Sequence, residues 1–392
     1  MKHFEAEGGG GAASSCEVDL SAAFRQVTLE VISEIALGFK PAAASVFPSL
    51  FESILDELNH RVFAPYRALF PPLELAHRRR LRELNGIVFS TIAERRAARK
   101  KLGAGAGAGA GGADTSASAS AALAAADAES AEASGATTDM LDMLLECSAM
   151  PDAQIADELK TQLLAGHETS SMMLTWTTYL LAAHPDKLAA AVAEVDSVLG
   201  VAGEGEGEGA GAAGEGTGAS ASVAASAAAV PPPPPPPPLE KFKQLRYLEQ
   251  CMNEAMRLYS PVPVLARECC AEDVLGGRHR IPEGTAMLVS IWAMHTSPAI
   301  WGADAREFVP ERFSRERSAG RHAYAFMPFS QGPRNCIGQH LALNEAKVVL
   351  GSLLRAFSLR LAPGERAPDT DSYIIPVRPS RPLRVVFTPR RQ

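Results

Sequence analysis

Apolar residues recur at helical spacing along most of the chain. Residues 18–37 place Val18, Leu20, Phe24, Val27, Val31 and Ile35 on one face, and Gly38 closes the run. Residues 49–60 and 74–100 read as two more helices, the second ending in the basic turn RRAARKK. Such a turn suits a helix C-terminus, and a solvated face accounts for it without a ligand. Residues 152–183 form one long helix that stops before His184-Pro185. Two helices follow at 186–199 and 242–259. Between 262 and 290 the period changes: β-branched residues alternate with turn signals such as GGRHRIPEGT, as in short strands. A long irregular stretch, 302–335, precedes a helix at 338–357, and the tail at 372–388 reads as a hairpin. The fold class is mainly α with a small β portion.

Two stretches break the pattern. Residues 103–136 are almost pure Gly, Ala and Ser, and residues 200–238 run from GEGEGEG into eight consecutive prolines at 231–238. Both lack the apolar content that offsets ordering entropy, so both read as disordered insertions in a surface. Residues 1–17 read as a disordered N-terminus, and MKHFEAEGGGGAASS has no apolar core of a signal peptide.

Composition narrows the function classes. A length of 392 residues, 46% hydrophobic, suffices for one large domain or two ordinary ones. A net charge of −7 without a basic block argues against nucleic acid as a partner. The six cysteines have no CxxC spacing, which argues against a disulfide scaffold or zinc ribbon and for a reducing compartment. No apolar run approaches the roughly 20 residues that span a bilayer.

Candidate chemistry starts at residues 329–338, FSQGPRNCIG. Cys336 stands just before a helix N-terminus, where outward-pointing N–H groups and the dipole favour an anion. Gly332 and Pro333 force a turn, Gly338 lets backbone approach something flat, and Arg334 supplies a cation for an acidic group. The thiol could be a nucleophile, with His340 one turn on as its base, a metal ligand, or a small buried hydrophobe. The last does not explain the glycines or the arginine.

The long helix carries AGHETS, residues 165–170. Ala165 and Gly166 lie four and three positions before Thr169 and share its face. Two small residues leave a gap bordered by a hydroxyl, with Glu168 next to it, a combination that suits proton delivery to bound oxygen. The alternative is a helix packing closely through small residues. HETSS is not a zinc HExxH motif, because Ser171 stands at the second histidine position. Glu254 and Arg257 of EAMR are one turn apart and can pair, and Arg312 of PERF could join them.

In that order and spacing, AGHETS, EAMR, PERF and FSQGPRNCIG resemble the cytochrome P450 family of haem-thiolate monooxygenases. The signature F-x-x-G-x-R-x-C-x-G is matched at Phe329, Gly332, Arg334, Cys336 and Gly338. The resemblance spans residue 18 to the C-terminus apart from the two insertions, and implies one haem-thiolate domain over 18–392. It implies haem b with Cys336 as the metal ligand, Phe329 shielding the sulfur, and Arg334 and Arg267 on the propionates. Ala165 and Gly166 would border the cofactor. Thr169 would hydrogen-bond dioxygen, and Glu168 would relay protons. Glu254, Arg257 and Arg312 would form a structural triad, and His340 would lie at the surface. Family members carry a segment before the first helix seen here, with an anchor or targeting peptide and a β-rich lobe. The chain accordingly reads as an N-terminally truncated member, and membrane association would come from that segment. The implied partners are dioxygen, an apolar small molecule, and a reductase or ferredoxin passing electrons from NADPH. The implied compartment is the endoplasmic reticulum membrane or a plastid. The apolar candidates for the substrate wall are Val262 to Leu265, Gln162 and Leu163, and Tyr373 to Val377. TWTTYLL, PVPVLARE and GPRNCIGQHLALNEAK resemble the branch of fatty-acid ω-hydroxylases and plastid carotenoid hydroxylases. The alternative reading is a non-catalytic remnant with impaired haem retention.

Overall fold

A computed structural model describes residues 15–38, 46–106, 139–147, 149–200, 237–366, 369–371 and 376–390. The eight longer helices are α1 (Leu20–Leu37), α2 (Val46–Phe63), α3 (Pro71–Ala106), α4 (Met140–Glu146), α5 (Asp152–Ala183), α6 (Pro185–Leu199), α7 (Arg246–Leu258) and α8 (Gln339–Ala356). The strands are β1 (Cys16–Asp19), β2 (Val264–Glu268), β3 (Asp273–Leu275), β4 (His279–Ile281), β5 (Ala286–Ser290), β6 (Phe357–Leu361), β7 (Thr370–Asp371), β8 (Arg378–Pro379) and β9 (Arg384–Pro389).

The organising element is α5. From Ser170 to Ala182 every residue is buried, whichever way it faces, as expected of a helix through the middle of a molecule. Two of its buried hydroxyls bond its own backbone: Thr175 Oγ1 donates to the Ser171 carbonyl at 2.8 Å, and Thr177 Oγ1 to the Met173 carbonyl at 2.7 Å. Pro185 cannot continue the ladder, so α5 ends and α6 begins. α1 lies against α5. A Cβ on Gly166 would fall 2.7 Å from Ile32 Cδ1, so only glycine admits this approach. Thr28 Oγ1 donates to the His167 carbonyl at 2.9 Å across the same contact.

Two apolar clusters result. One joins the start of α1, the rest of α5, α6, α7, α8 and strands β6 and β9. The other joins the end of α1 to α2, α3, α4 and the first half of α5. The antiparallel sheet runs β1-β9-β6, and β2-β5, β3-β4 and β7-β8 form two-stranded ladders. No helix among the described residues is long and apolar enough to cross a membrane.

Several boundaries differ from expectation. Residues 16–19 form a strand paired with β9, so the segment read as a disordered N-terminus ends earlier than residue 17. α1 starts at Leu20 because Asp19 is its N-cap, accepting from Ser21 N at 3.0 Å. The tail is not a simple hairpin: β9 returns to pair with β6 and β1. Of the two proposed insertions, 103–106 continue α3, and Gly200 caps α6. Residues 107–136 and 201–236 lie outside the described residues.

Candidate functional site

The cysteine loop is held by its backbone. Cys336 N–H donates to the Phe329 carbonyl at 2.9 Å, closing residues 329–336 into a tight loop. Gly332 has φ +80°, which glycine adopts without strain. Ser330 has φ +63°, alone among the described non-glycine residues, and its hydroxyl accepts from Arg267 at 3.2 Å. α8 begins three residues after Cys336, with Gly338 as its N-cap residue. The Cys336 side chain is exposed and makes no disulfide.

A cavity of about 280 Å³ opens beside this loop. Phe329, Arg334, Cys336, Ile337 and Gly338 line it on the loop side. Gln162, Ala165, Gly166, Thr169, Ser170 and Met173 line it from α5, and Val31 and Ile32 from α1. Pro261, Val262 and Leu265 add an apolar edge. The structure thus brings Cys336, Phe329, Arg334, Gly338, Ala165, Gly166 and Thr169 to one space, while Gly332 shapes the loop without lining the cavity. Arg267 is exposed and reaches the loop only through Ser330. His340 is exposed, as expected. Of the substrate-wall candidates, Val262, Leu265 and Gln162 border the cavity. Leu163 instead lies in the second apolar cluster, and Val377 is buried against Trp176, whose Nε1 donates to its carbonyl at 3.1 Å. Residues 373–375 lie outside the described residues.

Two expectations about α5 are corrected. The small residues do not simply leave a void, because Gly166 is also where α1 packs through Ile32. Glu168 does not line the cavity. Its carboxylate is held by Arg378, whose Nε donates to Oε2 at 3.1 Å, while Arg378 Nη1 donates to Asp56 at 2.9 Å. Burial pushes the Glu168 pKa up, against the pull of Arg378. Thr169 Oγ1 donates to the Ala165 carbonyl at 2.7 Å, inside its own helix.

Glu345 is a cavity group that the motifs did not flag. It lies on the α8 face shared with Leu341 and Ala342. Burial pushes its carboxyl up to about 8, partly offset by the Ser170 hydroxyl. The signal was available: positions 341, 342 and 345 share one face of the helix that follows Cys336.

Away from the cavity, Glu254, Arg257 and Arg312 meet in one buried network. Arg257 Nε and Nη2 donate to the two Glu254 oxygens at 2.7 and 2.8 Å. Arg312 Nε donates to Glu254 Oε1 at 3.3 Å, and the Val309 N–H donates to the same oxygen at 2.9 Å. The remaining guanidinium donors go to backbone carbonyls of His295, Ala305, Glu307, Trp301 and Asp304, and Arg312 Nη2 also pairs with the Asp304 carboxylate at 2.7 Å.

The family model described as Cytochrome P450 matches residues 8–207 and 222–387. The chain belongs to the cytochrome P450 family. Similar curated proteins include cytochrome P450 4c3 of Drosophila melanogaster, 32% identical over 64% of this chain and 41% of its own length. The cytokinin hydroxylase of Arabidopsis thaliana is 35% identical over 60% of this chain and 38% of its own. The chloroplastic carotene epsilon-monooxygenase of the same plant is 32% identical over 57% and 36%. The chain therefore spans about two fifths of the length of the curated relatives it matches. The crystal structure of a cytochrome P450, CYP102L1, superposes with a TM-score of 0.69 at 24% identity, over 96% of this chain and 69% of that one. That likeness establishes the cytochrome P450 fold.

The donor set of this P450 fits haem. Among the described residues no group of three or more His, Cys, Asp or Glu could hold a metal ion. Among those residues Cys336 offers a single thiol donor to a metal held chiefly by a non-protein group. The apolar walls, the Cys336 thiol and the Arg334 guanidinium suit a flat apolar macrocycle with acidic edges.

Proposed function

We propose that the chain is a haem-thiolate monooxygenase acting on an apolar small molecule, with Cys336 as the protein ligand to haem b. The observation that carries this is that Cys336 and the Ala165–Thr169 face of α5 border the same apolar cavity. Bound haem supplies the activation of dioxygen, one atom going to substrate and the other to water, with electrons from NADPH through a reductase or ferredoxin. The functional unit on this reading is one domain over 18–392, with 103–136 and 200–238 as insertions.

The chain's own residues divide the remaining work. Arg334 holds a propionate from the loop side, and Arg267 adds a second cation on the same loop through Ser330. Phe329 packs beside the sulfur and limits water there. Thr169 spends its proton on the Ala165 carbonyl, so its oxygen is free to accept; to donate into the cavity it must break that bond, which costs about 1 kcal/mol. Glu168 is the proton relay only after leaving Arg378, because the carboxylate otherwise stays outside the cavity. Ile32, Met173, Val262 and Leu265 give the substrate an apolar wall. That wall suits a lipid, terpenoid or carotenoid. The chloroplastic relative supports a plastid as the compartment, with the endoplasmic reticulum membrane as the alternative that the family resemblance implies.

The test is spectroscopic. The 392-residue chain, loaded with haem, reduced and exposed to carbon monoxide, is expected to show the Soret band of thiolate ligation. A band of the histidine or thiol type, or no haem uptake, contradicts the proposal and supports a non-catalytic remnant.

A further inference from the structure

His295 closes the short helix Ile291–His295 and is fully buried. Its Nε2 lies 2.9 Å from the Met327 nitrogen and accepts that N–H. Accepting there places the ring proton on Nδ1. That nitrogen makes no hydrogen bond of ordinary geometry, but the Met256 carbonyl nearby favours a proton on the ring. Burial, with Arg257 acting in the same direction, pushes the imidazole down to about 4, so it stays a neutral acceptor. The carbonyl of the same residue accepts from Arg257 Nη1 at 2.7 Å. The imidazole also lies 5.1 Å from the Phe326 ring, which packs on Phe313 and Trp301.

On the other side of Met327 the chain runs through Pro328 to Phe329, whose carbonyl holds the Cys336 N–H. Pro328 has no N–H, so the Met327 N–H is the last backbone donor before the loop that this side can grip. A continuous path therefore runs from Glu254 through Arg257 and His295 to Met327, and on along two peptide units to the cysteine loop.

We propose that His295 is a positioning residue for Cys336: by accepting the Met327 N–H it ties the cysteine loop to the buried Glu254–Arg257–Arg312 network. A hydrophobic side chain of similar volume keeps the packing on Phe326 but leaves the Met327 N–H without a partner. The loop then loses its tether while the network itself stays intact. Only the haem-binding consequence of this tether rests on Cys336 being the iron ligand.

The experiment is amide hydrogen exchange on the 392-residue chain carrying His295→Leu or His295→Gln. Three amides are read: Met327, Cys336, and Val309, which donates to Glu254 and so reports on the network. In His295→Leu, exchange at Met327 and Cys336 is expected to rise by about tenfold, the equivalent of losing roughly 1.4 kcal/mol, with Val309 unchanged. His295→Gln offers an acceptor oxygen near the Nε2 position and is expected to restore both. Wild-type rates at Met327 and Cys336 in the leucine variant overturn the proposal. Equal opening of all three amides in both variants overturns it too, because that is what lost packing alone would produce. Should the leucine variant not fold, the imidazole ¹⁵N spectrum of the wild-type chain decides: an unprotonated Nε2 supports the tether, and a proton on Nε2 overturns it. Haem titration separates the two readings. If the amides respond as expected and no variant, wild type included, gives a thiolate-type spectrum, the His295 tether stands and the iron-ligand reading fails.

Discussion

Two buried polar clusters outside the cavity are built on opposite terms. Around Glu254, the two flanking guanidinium groups find partners in that carboxylate, in the Asp304 carboxylate and in five backbone carbonyls. Around Glu168, one guanidinium serves two carboxylates, and Glu168 Oε1 and the His167 ring nitrogens lack hydrogen bonds of ordinary geometry, the Arg25 carbonyl being the nearest backbone partner of the ring. A saturated network in a low-dielectric interior is rigid, since every alternative arrangement leaves a buried polar atom unpaired. A half-satisfied one has less to lose by rearranging. The first cluster anchors the segments that carry the cysteine loop. The second abuts Thr169, the residue proposed to handle a proton.

The largest expected effect comes from breaking the saturated cluster. Arg257→Ala or Glu254→Ala leaves a buried charge uncompensated, which costs roughly 3–5 kcal/mol, a large share of a net stability of about 5–15 kcal/mol. Either variant is expected to aggregate or to melt far below the parent, although neither residue touches the cavity. Near-normal melting of both would place the two clusters on the same footing.

Acid comes next. His167 and His295 are kept neutral by burial, with pKa values pushed down to about 3 and about 4. The unfolded chain binds those protons near pH 6.5, and the folded chain does not. Stability is therefore complete above about pH 6.5 and falls as the pH drops toward 4, by about 1.4 kcal/mol per group per pH unit. Urea unfolding at pH 7 and pH 5 is expected to differ by a few kcal/mol. His295→Gln and His167→Gln should each remove part of that slope, and an unchanged slope in both would show that the histidines titrate normally.

Removing the cation of the looser cluster should cost less. Arg378→Met is expected to destabilise by about 1–3 kcal/mol, the cost of leaving a polar group unpaired, because Glu168 can bind a proton in response. Its pKa is already raised, so the variant should move it further up. A loss as large as that of Arg257→Ala would erase the contrast.

The smallest effect on stability is expected at Thr169. Its hydroxyl bonds only to its own helix, so Thr169→Ala should change stability by less than about 1 kcal/mol. The consequence should lie in turnover, read as hydrogen peroxide released per NADPH consumed. Unchanged coupling would remove Thr169 from the proton path.

Much of this was legible along the chain, for identifiable reasons. α5 was read at its observed limits because Pro151 and Pro185 bracket it and its apolar content is continuous. The Glu254–Arg257 pair was legible because it is a local i, i+3 contact. β1 was missed because VDLS reads equally as a helix start, and its partner β9 lies at the far end of the chain. α4 was missed because its seven residues are too few for a periodic signal beside a Gly/Ala/Ser tract. The Arg378–Glu168 pair spans 210 residues and leaves no local trace. His295 was missed because nothing in WAMHTSP separates a packed imidazole from one that accepts a backbone N–H.

The central claim is that Cys336 alone among the protein's side chains binds the haem iron, and iron K-edge X-ray absorption tests it most directly. The haem-loaded wild-type chain is expected to show one sulfur neighbour at iron, and Cys336→Ser to show none. Sulfur retained in the variant would move the ligand to another cysteine, and iron without sulfur in the wild type would contradict the account.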